Sequence, residues 1–252
     1  MVAGIDLNCD LGEQEGAEGQ QLDQQLLPLV TCVNAACGGH AGSPDRLQWL
    51  ADQCRMHGVI FGAHPAYPDR AGFGRVELQL EKSVLRAALV QQLQLARQAA
   101  DAAGIRVGRV KPHGALYHAV CERRDCAELL LDVVRQELPG AAVCGRAGSL
   151  LPELAGEYGL RGVREAFADR GVDADGRLLP RGMAGAVLHD PLVVAERVLR
   201  LVSEQRLICA GGVELCVRAD TVCIHSDTPD AVRLLRVIRQ HLETHGVQLR
   251  PY

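Results

Sequence analysis

Polar and apolar residues alternate with a period of two in the first strand-like segment of the chain. In IDLNCDLGE, residues 5–13, two carboxylates and an amide occupy every second position, at Asp6, Asn8 and Asp10. Because successive side chains of a β-strand point to opposite faces, this pattern predicts a strand with one polar and one apolar face. Two interpretations stay open: an edge strand with one face in water, or a strand whose polar face points into an enclosed site.

Apolar runs and helical repeats alternate along the rest of the chain. Short apolar runs, typical of buried parallel strands, lie at 30–36, 59–63, 107–111, 141–145, 162–167 and 221–225. Between them are segments in which apolar residues recur at helical spacing, at 43–58, 77–103, 123–138, 149–156, 191–204 and from 231 onward. About seven β/α units predict an α/β fold with a mostly parallel sheet, either a barrel or a doubly wound sheet.

The organisation of the chain indicates one domain over residues 1–252. No linker rich in Pro, Gly or Ser divides it, and no internal repeat is visible. The segment 169–190 is rich in glycine and proline and follows a predicted strand, so we expect a long ordered or lid-like loop there.

Composition and charge narrow the functional classes. The 252 residues are 48% hydrophobic, enough for a real core, and the formal net charge is −4 without any run of Lys and Arg. Nucleic acid and anionic membranes are therefore not expected as partners. The N-terminus reaches an acid before any apolar leader, and no segment is long and apolar enough to span a bilayer, so we expect a cytoplasmic protein.

The ten cysteines lie mostly inside apolar stretches and form no C-x-x-C pair, so we expect small buried hydrophobes in a reducing compartment. Cys37, within a glycine and histidine cluster, is placed for chemistry, although a packing role is equally open.

The unusual polar residues lie where the predicted strands end. These positions are Asp10, His40, His64, Lys111, His113, Glu165, Asp169, Arg170, His225 and Asp227. Because the carboxyl ends of parallel strands lie at one end of a barrel, we expect these side chains to converge there.

Two interpretations of subsets of these residues stay open. Asp10, His64 and His113 are the three that would suit a divalent metal ion, although no H-E-x-x-H pattern supports one. Glu165 and Asp169 are either a catalytic carboxylate pair or partners of arginines. Neither a G-x-S-x-G elbow nor a phosphate loop is present.

Six segments in order resemble the signature blocks of the LamB/YcsF family over about residues 4–249: IDLNCDLGE, VNAACGGHAG, GAHPAYPDRAGFGR, VKPHGALYH, REAFADRGVDADGRLLPR and VCIHSDTPDA. The resemblance implies the A subunit of bacterial 5-oxoprolinase. This enzyme opens the lactam of 5-oxo-L-proline to give L-glutamate, coupled to ATP hydrolysis, together with subunits B and C. It also implies a seven-stranded parallel barrel-like fold similar to that of glycoside hydrolases and polysaccharide deacetylases.

The family pattern also implies site residues. The positions expected to carry catalysis are Asp10, His40, His64, Lys111 and His113. Those expected to bind substrate are Asp6, Asn8, Asn34, Glu165, Asp169, Arg170, His225 and Asp227. As a hypothesis, Asp10 or His64 is the general base for water, His113 or His40 the acid for the departing nitrogen, and Lys111 the stabiliser of a negative oxygen.

The chain departs from the family pattern at Gly39, His118 and Ser226. The family usually carries Phe at the position of Gly39, and we expect the missing ring to widen the pocket.

Several alternatives stay open at this level. ATP is expected to bind to the partner subunits, since this chain has no phosphate loop, while a bound divalent metal and a homo-oligomer are undecided. One alternative function is a stand-alone metal-dependent amide hydrolase of the deacetylase type. The other is a non-catalytic subunit that only binds substrate.

Overall fold

The computed structural model describes residues 4–252, and its strands and helices alternate. The strands are β1 (Gly4–Leu11), β2 (Cys32–Ala36), β3 (Ile60–His64), β4 (Arg109–Val110), β5 (Ala142–Arg146), β6 (Gly162–Phe167), β7 (Arg206–Ile208), β8 (Glu214–Cys216), β9 (Thr221–His225) and β10 (Gln248–Leu249). The helices are α1 (Gly16–Leu26), α2 (Pro44–His57), α3 (Lys82–Ala102), α4 (Gly114–Glu122), α5 (Arg124–Glu137), α6 (Leu150–Leu154), α7 (Pro191–Glu204) and α8 (Ala231–Thr244). The first three residues of the predicted 1–252 domain lie outside the described range, and that domain assignment stays a prediction.

Seven parallel strands close into a barrel. The order around the barrel is β1, β2, β3, β4, β5, β6 and β9, and β9 pairs back onto β1. The short β10 runs beside the first two residues of β1, and β7 and β8 form an antiparallel hairpin apart from the barrel. The predicted seven-stranded parallel barrel is therefore confirmed, and the doubly wound alternative is wrong because the sheet has no open edge between β1 and β9.

The alternation in β1 separates the barrel interior from its coat of helices. Leu7, Cys9 and Leu11 are fully buried within the main apolar cluster. Asp6 and Asn8 on the other face are equally buried, and their partners lie on strands across the barrel. The polar face of β1 thus points into an enclosed interior, and the edge-strand interpretation is wrong.

Helix α2 shows how local sequence sets the ends of an element. The hydroxyl of Ser43 accepts a hydrogen bond from the backbone N–H of Arg46, Pro44 takes the first helical position, and Gly58 ends the helix with φ +65°. A side chain at Gly58 would be strained in this left-handed conformation, so glycine is the natural terminator.

Other predicted boundaries differ from the structure. The helix expected at 77–103 begins only at Lys82, because Glu81 has an extended ψ of 142°. The helix expected at 123–138 is preceded by α4, which was not predicted, and the two meet at the extended Arg123. Helix α1, the β7–β8 hairpin and β10 were also not predicted, since each is short or weakly patterned.

The loop at 169–190 is ordered by contacts with its own backbone. Isolated bridges join Arg170 to Val187 and Val172 to Leu178. The Arg170 guanidinium donates to the carbonyl oxygens of Leu179 and Ala186, at 2.7 and 3.0 Å. The predicted long ordered loop is thereby confirmed, and it stands beside the barrel mouth.

The cysteines are free thiols, and all except Cys216 are buried. Cys37 is fully buried, and burial raises the pKa of its thiol to about 12, which favours the packing role over chemistry. Within residues 4–252, no helix combines the length and apolar character needed to cross a membrane.

Candidate active site

The lowest polar layer inside the barrel is a closed ion pair. Arg109 Nη1 donates to Asp6 Oδ2 at 2.6 Å, and both side chains are at most 1% exposed. The hydroxyls of Thr31 and Thr221 donate to the two oxygens of Asp6. Every oxygen of this carboxylate is satisfied, as a buried charge requires. Asp6 was expected to bind substrate, but it lies beneath the cavity described below and does not line it.

Lys111 organises the next layer. Its ammonium lies 2.9 Å from Asp10 Oδ1, 3.0 Å from Glu165 Oε1 and 3.3 Å from Asn8 Oδ1. Burial favours the neutral amine, but the nearby carboxylates, Asp10 first, outweigh it and raise the pKa of Lys111 well above its usual value. Asn34 Nδ2 donates to both Asn8 and Asp10 at 2.8 Å.

A cavity of about 370 Å³ opens above this layer at the carboxyl ends of the strands. Seven of the predicted site residues line it: Asp10, His64, Lys111, His113, Arg170, His225 and Asp227. Six others lie behind or below the lining: Asp6, Asn8, Asn34, His40, Glu165 and Asp169. The predicted convergence of Asp10, His64, Lys111 and His113 is observed directly in these contacts.

Asp10 is a carboxylate at the cavity floor. Burial alone raises the pKa of Asp10, but His64 and the Lys111 ammonium outweigh it and hold the pKa well below its usual range. Its other oxygen, Oδ2, lies 3.4 Å from His64 Nε2. Asp10 therefore reaches the cavity in the charged form.

Three imidazoles meet one carboxylate at the side of the cavity. Glu13 Oε1 lies 2.9 Å from His40 Nε2, 3.1 Å from His113 Nδ1 and 3.7 Å from His64 Nε2. The His64 and His113 nitrogens are themselves 3.1 Å apart. We call Glu13, His40, His64 and His113 the histidine cluster; one nitrogen or oxygen atom from each lies within 4.8 Å of those of the other three. Asp10, expected as a metal ligand with His64 and His113, falls outside this set.

Phe73 and Gly74 pack against the histidine cluster from outside the barrel. The rings of His40 and His113 stack in parallel at 3.6 Å, and the Phe73 ring meets each edge-on at 5.2 Å. Both Phe73 and Gly74 have positive φ, and a side chain at Gly74 would come within 3.0 Å of the Cβ of His40. A left-handed phenylalanine is strained, and such strain is often retained next to functional groups.

His225 and Asp169 form a second charged pair on the opposite wall. Asp169 accepts from His225 Nδ1 at 3.1 Å and also from the His225 backbone N–H and the Thr228 hydroxyl. Burial disfavours the imidazolium, yet the Asp169 carboxylate outweighs it and raises the pKa of His225. The Phe167 ring stacks on the imidazole at 5.6 Å.

Arginines surround the cavity mouth but differ in their partners. Arg75 and Arg181 both pair with Asp227 at 3.0 Å and are well exposed. Arg170 is only 6% exposed and donates to backbone carbonyls, and within residues 4–252 no carboxylate lies within ion-pair distance of it. Its positive charge is therefore available to an anion in the cavity.

Sequence reasoning missed several contributors. Arg109, Thr221 and Tyr117 were not selected, although the alternation from Lys111 back to Arg109 could have suggested the first. Gly39 does not line the cavity, and a side chain there would collide with Gln92 Oε1. The prediction of a widened pocket is therefore wrong, because Gln92 already fills that space.

The sequence and the fold both match known proteins along their full length. The sequence model of the LamB/YcsF family matches residues 5–252. The 5-oxoprolinase A subunit of Acinetobacter baylyi is 42% identical over 248 residues, covering 98% of each chain. That of Syntrophobacter fumaroxidans is 40% identical over 244 residues, covering 97% of this chain and 96% of the relative. The lactam utilization protein of Thermus thermophilus superposes with a TM-score of 0.90 at 38% identity, covering 99% of this chain and 100% of that one.

Proposed function

The chain belongs to the LamB/YcsF family, and from this premise we propose that it is the A subunit of an ATP-dependent 5-oxoprolinase. The reaction opens 5-oxo-L-proline with water to give L-glutamate and converts ATP to ADP and phosphate, with subunits B and C as partners. The observation that carries the proposal is the whole-chain match to relatives named as the 5-oxoprolinase A subunit, joined to a polar cavity at the barrel mouth. The free buried thiols support a cytoplasmic location.

The cavity suits a small anionic lactam. Its volume of about 370 Å³ falls in the range of small-molecule sites. We assign the substrate carboxylate to Arg170, whose guanidinium has no carboxylate partner within residues 4–252 and lines the cavity. A charge-assisted bond of this type orients the ring and contributes about 1.5–3 kcal/mol.

Asp10 is the general base in our proposal. Water attacks the lactam carbonyl carbon while Asp10 removes its proton, and Lys111 keeps Asp10 ionised until then. His64 is less suited to this role, because its Nδ1 is bonded to the Lys111 carbonyl and its Nε2 faces the histidine cluster.

His225 is the general acid in our proposal. It lines the wall opposite the histidine cluster, and Asp169 stabilises its protonated form. The imidazolium donates its proton to the lactam nitrogen as the carbon–nitrogen bond breaks. His113 and His40 were the expected acids, but His40 does not reach the cavity and both His113 nitrogens are engaged.

Phosphorylation of the lactam oxygen is assigned to the partner subunits. A phosphoryl group on that oxygen makes the amide carbon a better electrophile, and this chain carries no phosphate loop. The division of labour is therefore activation by the partners and ring opening in the barrel. Water addition and cleavage of the carbon–nitrogen bond leave the phosphoryl group on the new carboxyl as an acyl phosphate, and a second water hydrolyses it to L-glutamate and phosphate.

The test is reconstitution from separate parts. Glutamate and ADP are measured from 5-oxoproline and ATP with this chain alone, with the partner subunits alone and with all three together. We expect glutamate only from the complete mixture. Glutamate from the partners alone would reject a catalytic role, and turnover by this chain alone that stops on chelation would favour the stand-alone metal hydrolase.

Asp10→Asn separates catalysis from binding. In the complete mixture, a non-catalytic subunit that only binds substrate would show a changed KM with kcat preserved. A lowered kcat with similar KM supports chemistry in this barrel.

A further inference from the structure

The hydrogen positions in the histidine cluster are fixed by its surroundings. His64 Nδ1 lies 2.6 Å from the Lys111 carbonyl oxygen, and His113 Nε2 lies 3.0 Å from the Phe73 carbonyl oxygen. Because a carbonyl oxygen only accepts, each of these nitrogens carries the ring hydrogen. The two opposite nitrogens, which face the cluster, then present lone pairs.

Atoms that present only lone pairs therefore lie next to one another inside the histidine cluster and repel each other. The facing nitrogens of His64 and His113 are 3.1 Å apart, and Glu13 Oε1 lies 3.1 Å from the second of them. The single hydrogen that His40 Nε2 can donate to Glu13 leaves this repulsion in place. A positive charge among these atoms removes it.

Neither a lysine nor an arginine supplies that charge. Within the described part of the chain, no lysine or arginine lies within 4.0 Å of Glu13, whose ion-pair partners are the three histidines. The neighbouring group of Asp10, Cys223 and His225 differs, because the Lys111 ammonium lies 2.9 Å from Asp10 and 3.1 Å from the Cys223 sulfur. An ammonium already occupies the position that an ion would take there.

We propose that Glu13, His64 and His113 bind one divalent transition-metal ion, with Zn²⁺ as the best match, and that the Nε2–H of His40 holds Glu13 in place from the stacked position behind His113. Imidazole nitrogens with a carboxylate oxygen form a donor set that zinc prefers. Zinc bonds of about 2.0–2.1 Å in a tetrahedron place ligand atoms about 3.3 Å apart. The three separations among the Glu13, His64 and His113 ligand atoms, at 3.1, 3.1 and 3.7 Å, agree with this spacing.

The outer contacts of His64 and His113 match those of metal-binding imidazoles. A metal-binding histidine usually donates its other N–H to a carbonyl or carboxylate, and His64 and His113 both do so. The stacked ring of His40 closes the site from behind, while His64, His113 and Glu13 face the cavity. The site is preformed and open on one side.

The inference goes beyond the proposed function and does not depend on it. An ion at this position would add a Lewis acid to the cavity wall beside Asp10. His64 and His113 would then hold the ion, which leaves the proton transfers to Asp10 and His225, as proposed above.

The experiment measures metal binding without any assay of turnover. Tag-free protein is freed of metal with a chelator and titrated with Zn²⁺ by calorimetry, and with Co²⁺ by visible absorption, which reports the coordination of the ion. We expect one ion per chain for the parent. His40→Gln, at a position that does not line the cavity, should bind the ion about 10–100-fold more weakly, because the outer hydrogen bond from His40 to the ligand Glu13 is lost.

Two further variants make the result decisive. The exposed His189→Gln is the matched control and should bind like the parent. Asp10→Asn should also keep its ion, whereas loss of the ion in Asp10→Asn together with retention in His40→Gln would place it at a different set and overturn the proposal. Absence of stoichiometric binding by the folded parent overturns it as well, and would mean that a proton holds the cluster together.

A stability measurement covers the case in which His40→Gln folds poorly. Glu13→Gln is the second variant, and thermal unfolding is followed with and without Zn²⁺. Zinc should raise the Tm of the parent and of His189→Gln by more than that of either cluster variant, because an ion that binds only the folded state stabilises it in proportion to the logarithm of its affinity. An equal rise in all four proteins would reject the assignment.

Discussion

The two ends of the inward face of β1 carry the same kind of residue in different settings. Asp6 is paired with Arg109, capped by two hydroxyls and closed off from any cavity. Asp10 is paired with Lys111 but lies on the floor of an open cavity beside a histidine. A carboxylate that supports the barrel and one that can meet a substrate are therefore only four positions apart on one strand.

This difference shows that a polar barrel interior is not by itself a site. At both ends the charge is neutralised, because an unpaired buried charge would be too costly. The upper end differs because a substrate can reach it: the strands end there and a cavity opens between the loops. The same alternation thus yields a structural layer below and a reactive layer above, and substitutions at each end should separate the two.

The largest expected effect is on turnover at the upper end. Asp10→Asn removes the base but keeps its size, and Glu165 still neutralises Lys111. We expect kcat of the assembled complex to fall by about 10²–10⁴ with little change in Tm. Asp6→Asn is the matched variant, and the comparison breaks down if it lowers kcat per folded molecule as much as Asp10→Asn does.

The next effect is on stability at the lower end. Arg109→Met leaves the Asp6 carboxylate buried without its counterion, so we expect the free energy of unfolding to fall by about 3–5 kcal/mol in urea titrations. Adding Asp6→Asn to this variant should restore part of the loss, because the stranded charge is then gone. A loss below about 1 kcal/mol in the single variant would show that the pair is not a structural layer.

A substitution at Arg170 tests substrate binding at the upper end. Arg170→Met preserves length but removes the charge that we assign to the substrate carboxylate, so KM for 5-oxoproline should rise about 10–100-fold. Arg75→Met is the matched control at the rim, where an exposed ion pair contributes little. Equal KM values for the two variants would remove Arg170 from its proposed role.

The smallest effect is a displacement of the pH profile. Because Asp169 raises the pKa of His225, the protonated acid persists to higher pH, and activity should decline as pH rises through that raised value. Asp169→Asn lowers the pKa of His225, so the alkaline limb of kcat should move to lower pH. An unmoved limb would assign it to another group.

Much of this arrangement follows from periodicity and strand ends. The alternation at Asp6, Asn8 and Asp10 predicts a polar interior, and the placement of His64 and His113 after strands predicts their meeting with Asp10. These are regular consequences of a parallel barrel, in which strand direction brings distant residues to one end.

Contacts between loops were harder to predict from the sequence. The left-handed Phe73 and its carbonyl bond to His113 depend on the path of an irregular segment, which no period describes. Glu13 matched the family pattern, but its central position among three imidazoles arises from the turn after β1. The prediction that Gly39 widens the pocket was wrong because its neighbour in space, Gln92, lies on a helix far along the chain.

The closure of the barrel by β9 sets the order in which the protein can assemble. Asp6 and Thr221 are 215 positions apart, so β1 has its second neighbour only after most of the chain has left the ribosome. Contacts of such long range carry a large loop-closure entropy and slow folding. Until then β1 has an unpaired edge, so we expect the incompletely synthesised chain to be more prone to aggregation than the closed barrel.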